Sequence, residues 1–259
     1  MTDFEQETAP PSTPPGAPPG APPGAPWGLW ATLGWVILAF LLSAIAGFVV
    51  VLIWRPEAIM SGGSDMLKDG PLISITTVAS AVVQIGMLAL AAKLARWPAS
   101  EYLGLVRPAI RPALIAILIL IVFLLGYDAL TYLLGRDIVT PFQVDTYRTA
   151  RDGGTLPLLW LTFVVVAPVA EEIMFRGFLF RGWVRSESSA IPAILVISLL
   201  FAAIHVQYDW FGMLQVFFIG LLLAIARWRS GSTLLTILMH VLINFWATVQ
   251  SMIKVEWLS

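Results

Sequence analysis

The sequence predicts an all-α protein: a polytopic bundle of about seven to eight transmembrane helices behind a disordered, proline-rich N-terminal tail. Three observations carry that class. Of 259 residues, 58% are hydrophobic and 12% charged, against about 25% charged in ordinary soluble domains. Mean hydropathy over the whole chain is +0.85. Apolar runs of membrane-crossing length recur from residue 28 to residue 253, and about 20 mostly apolar residues suffice to span a bilayer as a helix.

Residues 1–26 contain three PPGA units between Pro14 and Ala25 and no apolar run. A four-residue period is not that of collagen, and the composition reads as a solvated, partly polyproline-II tether. The tail has no basic stretch followed by an apolar one, so it does not read as a signal peptide, and the first apolar run is expected to stay as an anchor. Two further regions follow: residues 27–154, with the first three spans and a connecting loop, and residues 155–252, where the polar groups gather.

The expected spans are 28–53, 71–95, 110–134, 156–180, 189–206, 210–227 and 232–253. The fifth and sixth are joined by only Gln207, Tyr208 and Asp209. Tryptophans at 27, 54, 97, 183, 210, 228 and 257 mark the span ends as an interfacial belt. The segment 136–154 is polar with scattered apolar residues and reads equally as a short amphipathic surface helix or a plain loop. Eight lysines and arginines (Lys93, Arg96, Arg107, Arg111, Arg181, Arg185, Arg227, Arg229) fall in alternate loops, with six on the opposite side. That asymmetry favours a cytoplasmic N-terminus by a small margin. An eighth, less apolar span would reverse the last loops.

Ionisable side chains within a membrane are costly and tend to mark function. Those of this chain concentrate in VAEEIMFRG (169–177), FAAIH (201–205) and HVLIN (240–244). The first three spans offer only Gln84 and Asp128. Glu172 and Arg176 are four residues apart and share a helix face, so they are expected to neutralise each other. Glu171 points about 100° away and is left free. Pro168 removes a backbone hydrogen bond just before it and is expected to kink the helix, as happens where helices line a cavity. His240 and Asn244 also share a face, while Phe201, one turn before His205, reads as packing.

Three helices thus offer a carboxylate, an imidazole, and an imidazole with an amide. A carboxylate with an imidazole can deprotonate a water, and an imidazole with an amide can donate to a developing oxyanion. Alternatively Glu171, His205 and His240 are the ligand set of a Zn²⁺ site with an open position for water. No HExxH motif decides between them. The chain has no cysteine, which excludes disulfides, thiolate metal sites and cysteine nucleophiles. A net charge of −1 gives no basis for a nucleic-acid partner.

In order, spacing and membrane context, EEIMFRG, FAAIH and HVLIN resemble the three motifs of the CPBP family, the CAAX proteases and bacteriocin-processing proteins also called Abi, which include the Rce1-type prenyl-protein peptidases. The resemblance covers roughly 155–252. It implies an intramembrane endopeptidase acting on membrane-associated or prenylated (CAAX-type) protein substrates, in a multi-pass protein of a bacterial inner membrane surrounded by lipid. It implies Glu171 as general base with His205, His240 and Asn244 as the oxyanion pair, and Glu172 and Arg176 as their support. Members are described both as metalloproteases and as metal-free glutamate enzymes. Two readings stand against catalysis: a scaffold or bacteriocin-immunity protein that keeps the polar set for helix packing, and a proton-coupled transporter. The transporter favours inverted repeats, and none is evident.

Overall fold

The computed structural model describes residues 26–60 and 66–258; the expected disordered tail, residues 1–25, lies outside them. The described chain is helical, with α1 Leu29–Trp54, α2 Gly70–Leu94, α3 Ile110–Leu133, α4 Pro141–Asp152, α5 Leu156–Trp183, α6 Glu187–Ala203, α7 Trp210–Ser230 and α8 Thr233–Trp257. Short helical turns at Pro56–Met60, Met66–Lys68 and Ala99–Tyr102 sit between them.

Six of these, α1, α2, α3, α5, α7 and α8, are long and apolar enough to cross a bilayer. The 17-residue α6 completes the alternation, so all seven expected spans are present. Among the described residues no eighth crossing segment intervenes. The outer surface is aliphatic: Leu114, Leu118 and Val122 on α3 are each more than 60% exposed, as a face solvated by acyl chains requires. This is an integral, multi-pass membrane protein.

Local chemistry explains the helix starts. Asp69 caps α2 by accepting from Leu72 N–H at 2.9 Å, and Pro71 occupies the first turn, where a missing donor costs nothing. Asp209, the last residue of the tight link, caps α7 by accepting from Gly212 N–H at 2.9 Å. The segment 136–154, undecided from sequence, contains helix α4. Thr140 and Gln143 cap each other reciprocally and Pro141 opens the first turn. This helix is packed rather than free on a surface: Tyr147 and Ala150 are buried with Leu159 of α5 and Val255 of α8.

The packing follows membrane rules, where small residues let helices approach. At Gly220 a Cβ would lie 3.1 Å from Ser198 of α6, so α6 and α7 meet backbone to backbone there. The main core gathers Tyr102, Phe178, Leu179, Ile197, Phe201, Leu223 and Met239, all at most 1% exposed. Three connections form one end of the bundle. Ser232 Oγ donates to Val106 carbonyl at 2.5 Å, Thr233 N–H donates to Gly104 carbonyl at 2.8 Å, and Arg181 lies over the Trp97 ring. The Arg136–Asp209, Lys254–Asp137 and Arg151–Glu256 pairs form the other end.

Candidate active site

Helix α5 carries the charged motif, and its geometry is not a plain α-helix. Residues Thr162–Val166 and Ile173–Leu179 adopt π turns on either side of Ala167–Glu172. Pro168 has no N–H for the preceding turn and its ring crowds a carbonyl there. The widened turn just before it relieves that conflict, so the expected kink takes the form of a π segment, a feature that recurs at functional sites. The carbonyl of Ala170, next to Glu171, is bound by Gln84 Nε2 of α2 at 2.9 Å.

The two adjacent glutamates have opposite surroundings. Glu172 is fully buried, and its Oε1 accepts from Arg176 Nη1 at 2.9 Å and from His240 Nδ1 at 2.9 Å. Arg176, equally buried, gives Nη2 to the Gly220 carbonyl at 3.0 Å and lies 4.4 Å over the Phe201 ring. This is the expected neutralised pair, with His240 as an added member. Charges so far from water persist only when paired and hydrogen-bonded.

Glu171 has no such commitments. Its side chain is 25% exposed, and Oε2 is buried without a hydrogen-bond partner. That oxygen stands 3.9 Å from His205 Nε2 and 3.9 Å from His240 Nε2. Each ring is oriented by its other nitrogen: His205 Nδ1 meets the Phe201 carbonyl at 2.7 Å, and His240 Nδ1 meets Glu172. Acceptors at both Nδ1 atoms place a proton there and turn Nε2 toward Glu171. Phe201 is packing, as its spacing suggested, and touches both imidazoles (centroids 4.8 and 5.7 Å).

Asn244 lies one turn from His240 and lines the same cavity. Its Nδ2 donates to the Phe163 carbonyl, in the first π segment, at 2.8 Å. Glu171, Glu172, Arg176, His205 and His240 are therefore brought together around one point, and Asn244 borders it.

The cavity holds about 710 Å³, within the range of ligand sites. It runs from Glu171 and the histidines to the α3–α4 connection, with Phe142, Phe163 and Phe211 among its walls. Two residues not assigned to the site from sequence line it. Asp128 of α3 accepts from Trp246 Nε1 at 2.9 Å and from Gln250 Nε2 at 2.7 Å, both on Oδ2. Tyr208 stacks on His205 (centroids 6.1 Å, 14° between planes). Burial, reinforced by the Glu171 charge, pushes its phenol up to about 12, so it remains a neutral hydroxyl.

The possible metal set of Glu171, His205 and His240 fits less well. Zinc bonds of about 2.0–2.1 Å at tetrahedral angles bring ligand atoms to about 3.3 Å from one another. Both carboxylate–imidazole separations here are 3.9 Å, and among the described residues no three His, Cys, Asp or Glu side chains are grouped to hold an ion. A water oxygen about 2.8 Å from Glu171 Oε2 and from an imidazole Nε2 fits either 3.9 Å gap.

Fold and site together define a polytopic membrane protein with a carboxylate–imidazole centre inside its helix bundle. Residues 153–246, from just before α5 into α8, match the Rce1-like family, described as type II CAAX prenyl endopeptidase Rce1-like, so this segment is similar to the family that its motifs resemble. An uncharacterized 24.3 kDa protein of Escherichia coli is similar as well, 34% identical over 128 residues, which is 46% of this chain and 58% of that protein. The chain thus spans a little over half the length of the curated relative it matches. No solved structure matches it.

Proposed function

We propose that this protein is an intramembrane endopeptidase in which Glu171 and His205 activate a water that attacks a peptide bond. The observation that carries the reading is the contrast within one dipeptide. Glu172 is wholly buried and gives its Oε1 to Arg176 and His240, whereas Glu171 lines the cavity and makes no hydrogen bond through the oxygen that faces two imidazoles. The Glu171 side chain is 25% exposed and lines the cavity with both histidines, where a water can reach it, while that of Glu172 is sealed from the cavity.

The chemistry follows from the charges. Arg176 balances Glu172, which leaves the Glu171 carboxylate as the group that can take a proton from water. Glu171 accepts that proton as the hydroxyl adds to the carbonyl carbon. The oxyanion forms beside His240, which donates from Nε2 when that nitrogen also carries a proton. The Asn244 amide has a second N–H beyond the one given to Phe163 and can add to it. Collapse returns the proton to the leaving amine. The family match supports a peptide or protein substrate in the membrane, and the aromatic walls suit a lipid-modified or apolar segment such as a prenylated CAAX terminus.

The test is cleavage by the purified protein of a prenylated CAAX peptide beside unmodified membrane peptides, with and without a chelator. The reading expects cleavage that survives chelation and is lost in His205→Ala while the protein still accumulates. Normal processing by His205→Ala would overturn it.

A further inference from the structure

The cations at the two ends of the bundle are in opposite circumstances. At the cavity end Arg55, Arg136, Arg148, Arg151 and Lys254 each stand within 4 Å of a carboxylate. At the other end eight lysines and arginines face only Glu101 and Glu187 among the described residues. Among the described residues none of those eight is in an ion pair; the remaining ion pairs there belong to the active site.

Two of the eight are not ordinary solvated cations. Arg227, in the last turn of α7, is 6% exposed. Its Nε donates to the Arg176 carbonyl at 2.9 Å, and its guanidinium lies 5.2 Å from the Phe180 ring centroid. Its terminal nitrogens make no hydrogen bond in the structure. They rest on Gly104, whose φ of +66° suits glycine and whose missing Cβ lets the guanidinium pack against the backbone. Arg181 lies 4.7 Å over Trp97, and its Nε is buried without a partner. The charge acting on Arg227 is Arg181, a second cation; Glu101 acts on Arg181 from beyond ion-pair distance.

Arg227 is buried and Arg181 partly so, and the two cations repel each other; such a pair is electrostatically incomplete, because desolvating an ion costs several kcal/mol unless an opposite charge repays it. We infer that Arg181 and Arg227 bind a phosphate group. Guanidinium forks match phosphate oxygens in geometry and charge. Both arginines lie at helix ends, Arg181 over Trp97 and two residues from Trp183, Arg227 next in sequence to Trp228, in a belt at the depth of lipid headgroups, where clustered basic residues attract anionic lipids. The phosphate is therefore that of an anionic lipid. Because Arg227 Nε and Thr233 Oγ1 both reach the Arg176 carbonyl (2.9 and 3.4 Å), a bound headgroup would brace the π segment that carries Arg176. The inference does not depend on the peptidase reading.

The full chain should be reconstituted in phosphatidylcholine vesicles, in the same vesicles with phosphatidylglycerol, and in phosphatidylcholine with inorganic phosphate. Phosphatidylglycerol should raise the midpoint of thermal unfolding by about 5 °C. Arg181→Gln should lose most of that shift, and Arg111→Gln, an exposed cation at the same end, should keep it. An equal, Arg181-dependent shift from inorganic phosphate would support the site and assign its ligand to solution. No shift from either source, or the same shift in both variants, would overturn the proposal.

Discussion

Helices α3 and α5 are both long enough to span a bilayer, yet they solve different problems. The apolar window of α3 has a hydropathy of 2.7 and is 17% buried; that of α5 has 1.9 and is 44% buried. Helix α3 turns most of its aliphatic side chains to lipid. Helix α5 turns a glutamate pair, an arginine and two π turns inward. Lipid is as apolar as leucine and provides little drive for helices to associate. What fixes α5 in place is therefore polar: the Glu172–Arg176–His240 cluster, the Gln84 bond to Ala170, and the Asn244 bond to Phe163. The groups that tie helices together and those that line the cavity are of the same kinds; they differ in whether a partner on another helix holds them or they face the cavity.

The sharpest way to break that comparison is to remove one partner of a met cluster. Arg176→Leu leaves Glu172 buried without its cation and should cost about 3–5 kcal/mol, read as a large fall in thermal stability and in the amount of protein recovered. Next comes Gln84→Leu, which unties the carbonyl before Glu171. It should cost about 1–3 kcal/mol and lower the cleavage rate without changing the side-chain chemistry at the centre, while Gln84→Glu, unable to donate when ionised, should behave like the leucine.

A pH titration sharpens the picture at the cavity mouth. The Tyr208 phenol, at about 12 in the folded protein, lies above its ordinary value near 10. Its neutral form therefore contributes stability that is complete below pH 10 and lost as pH rises through 12. Tyr208→Phe should remove that alkaline phase of unfolding. The smallest effect belongs to α3: Leu118→Ala, on a face that is 61% exposed, should shift stability by about 0.5 kcal/mol or less. A large loss there would mean that α3 is not lipid-facing.

Much of this organisation was legible in the residues. Span limits followed from apolar length and tryptophan position: 28–53 against Leu29–Trp54, and 232–253 against Thr233–Trp257. The Glu172–Arg176 pair followed from i, i+4 spacing alone. The spacing that grouped His240 with Asn244 was less complete. His240 is held by Glu172 and Asn244 by Phe163, partners 68 and 81 residues away, which helical period cannot reveal. Gln84, Asp128 and Tyr208 were hidden for the same reason. Each is a single polar residue in or beside an apolar run, and its role depends on a partner from another helix. Helix α4 had a readable signal in Thr140-Pro141-Phe142-Gln143, a capping box with proline in the first turn. The π turns of α5 had none beyond Pro168, because a widened turn leaves no mark on side-chain composition.

The central claim is that the two adjacent glutamates divide the work, Glu171 for the reaction and Glu172 for the structure. It is tested most directly by measuring, on the same preparations, substrate cleavage and thermal unfolding of Glu171→Gln and Glu172→Gln. Glu171→Gln should lose cleavage by about 10²-fold or more with its unfolding midpoint unchanged or raised, because it removes a charge that no hydrogen bond satisfies. Glu172→Gln should unfold at a clearly lower temperature, because it strands Arg176. A Glu171→Gln protein that still cleaves, or that is the less stable of the two, would contradict the account.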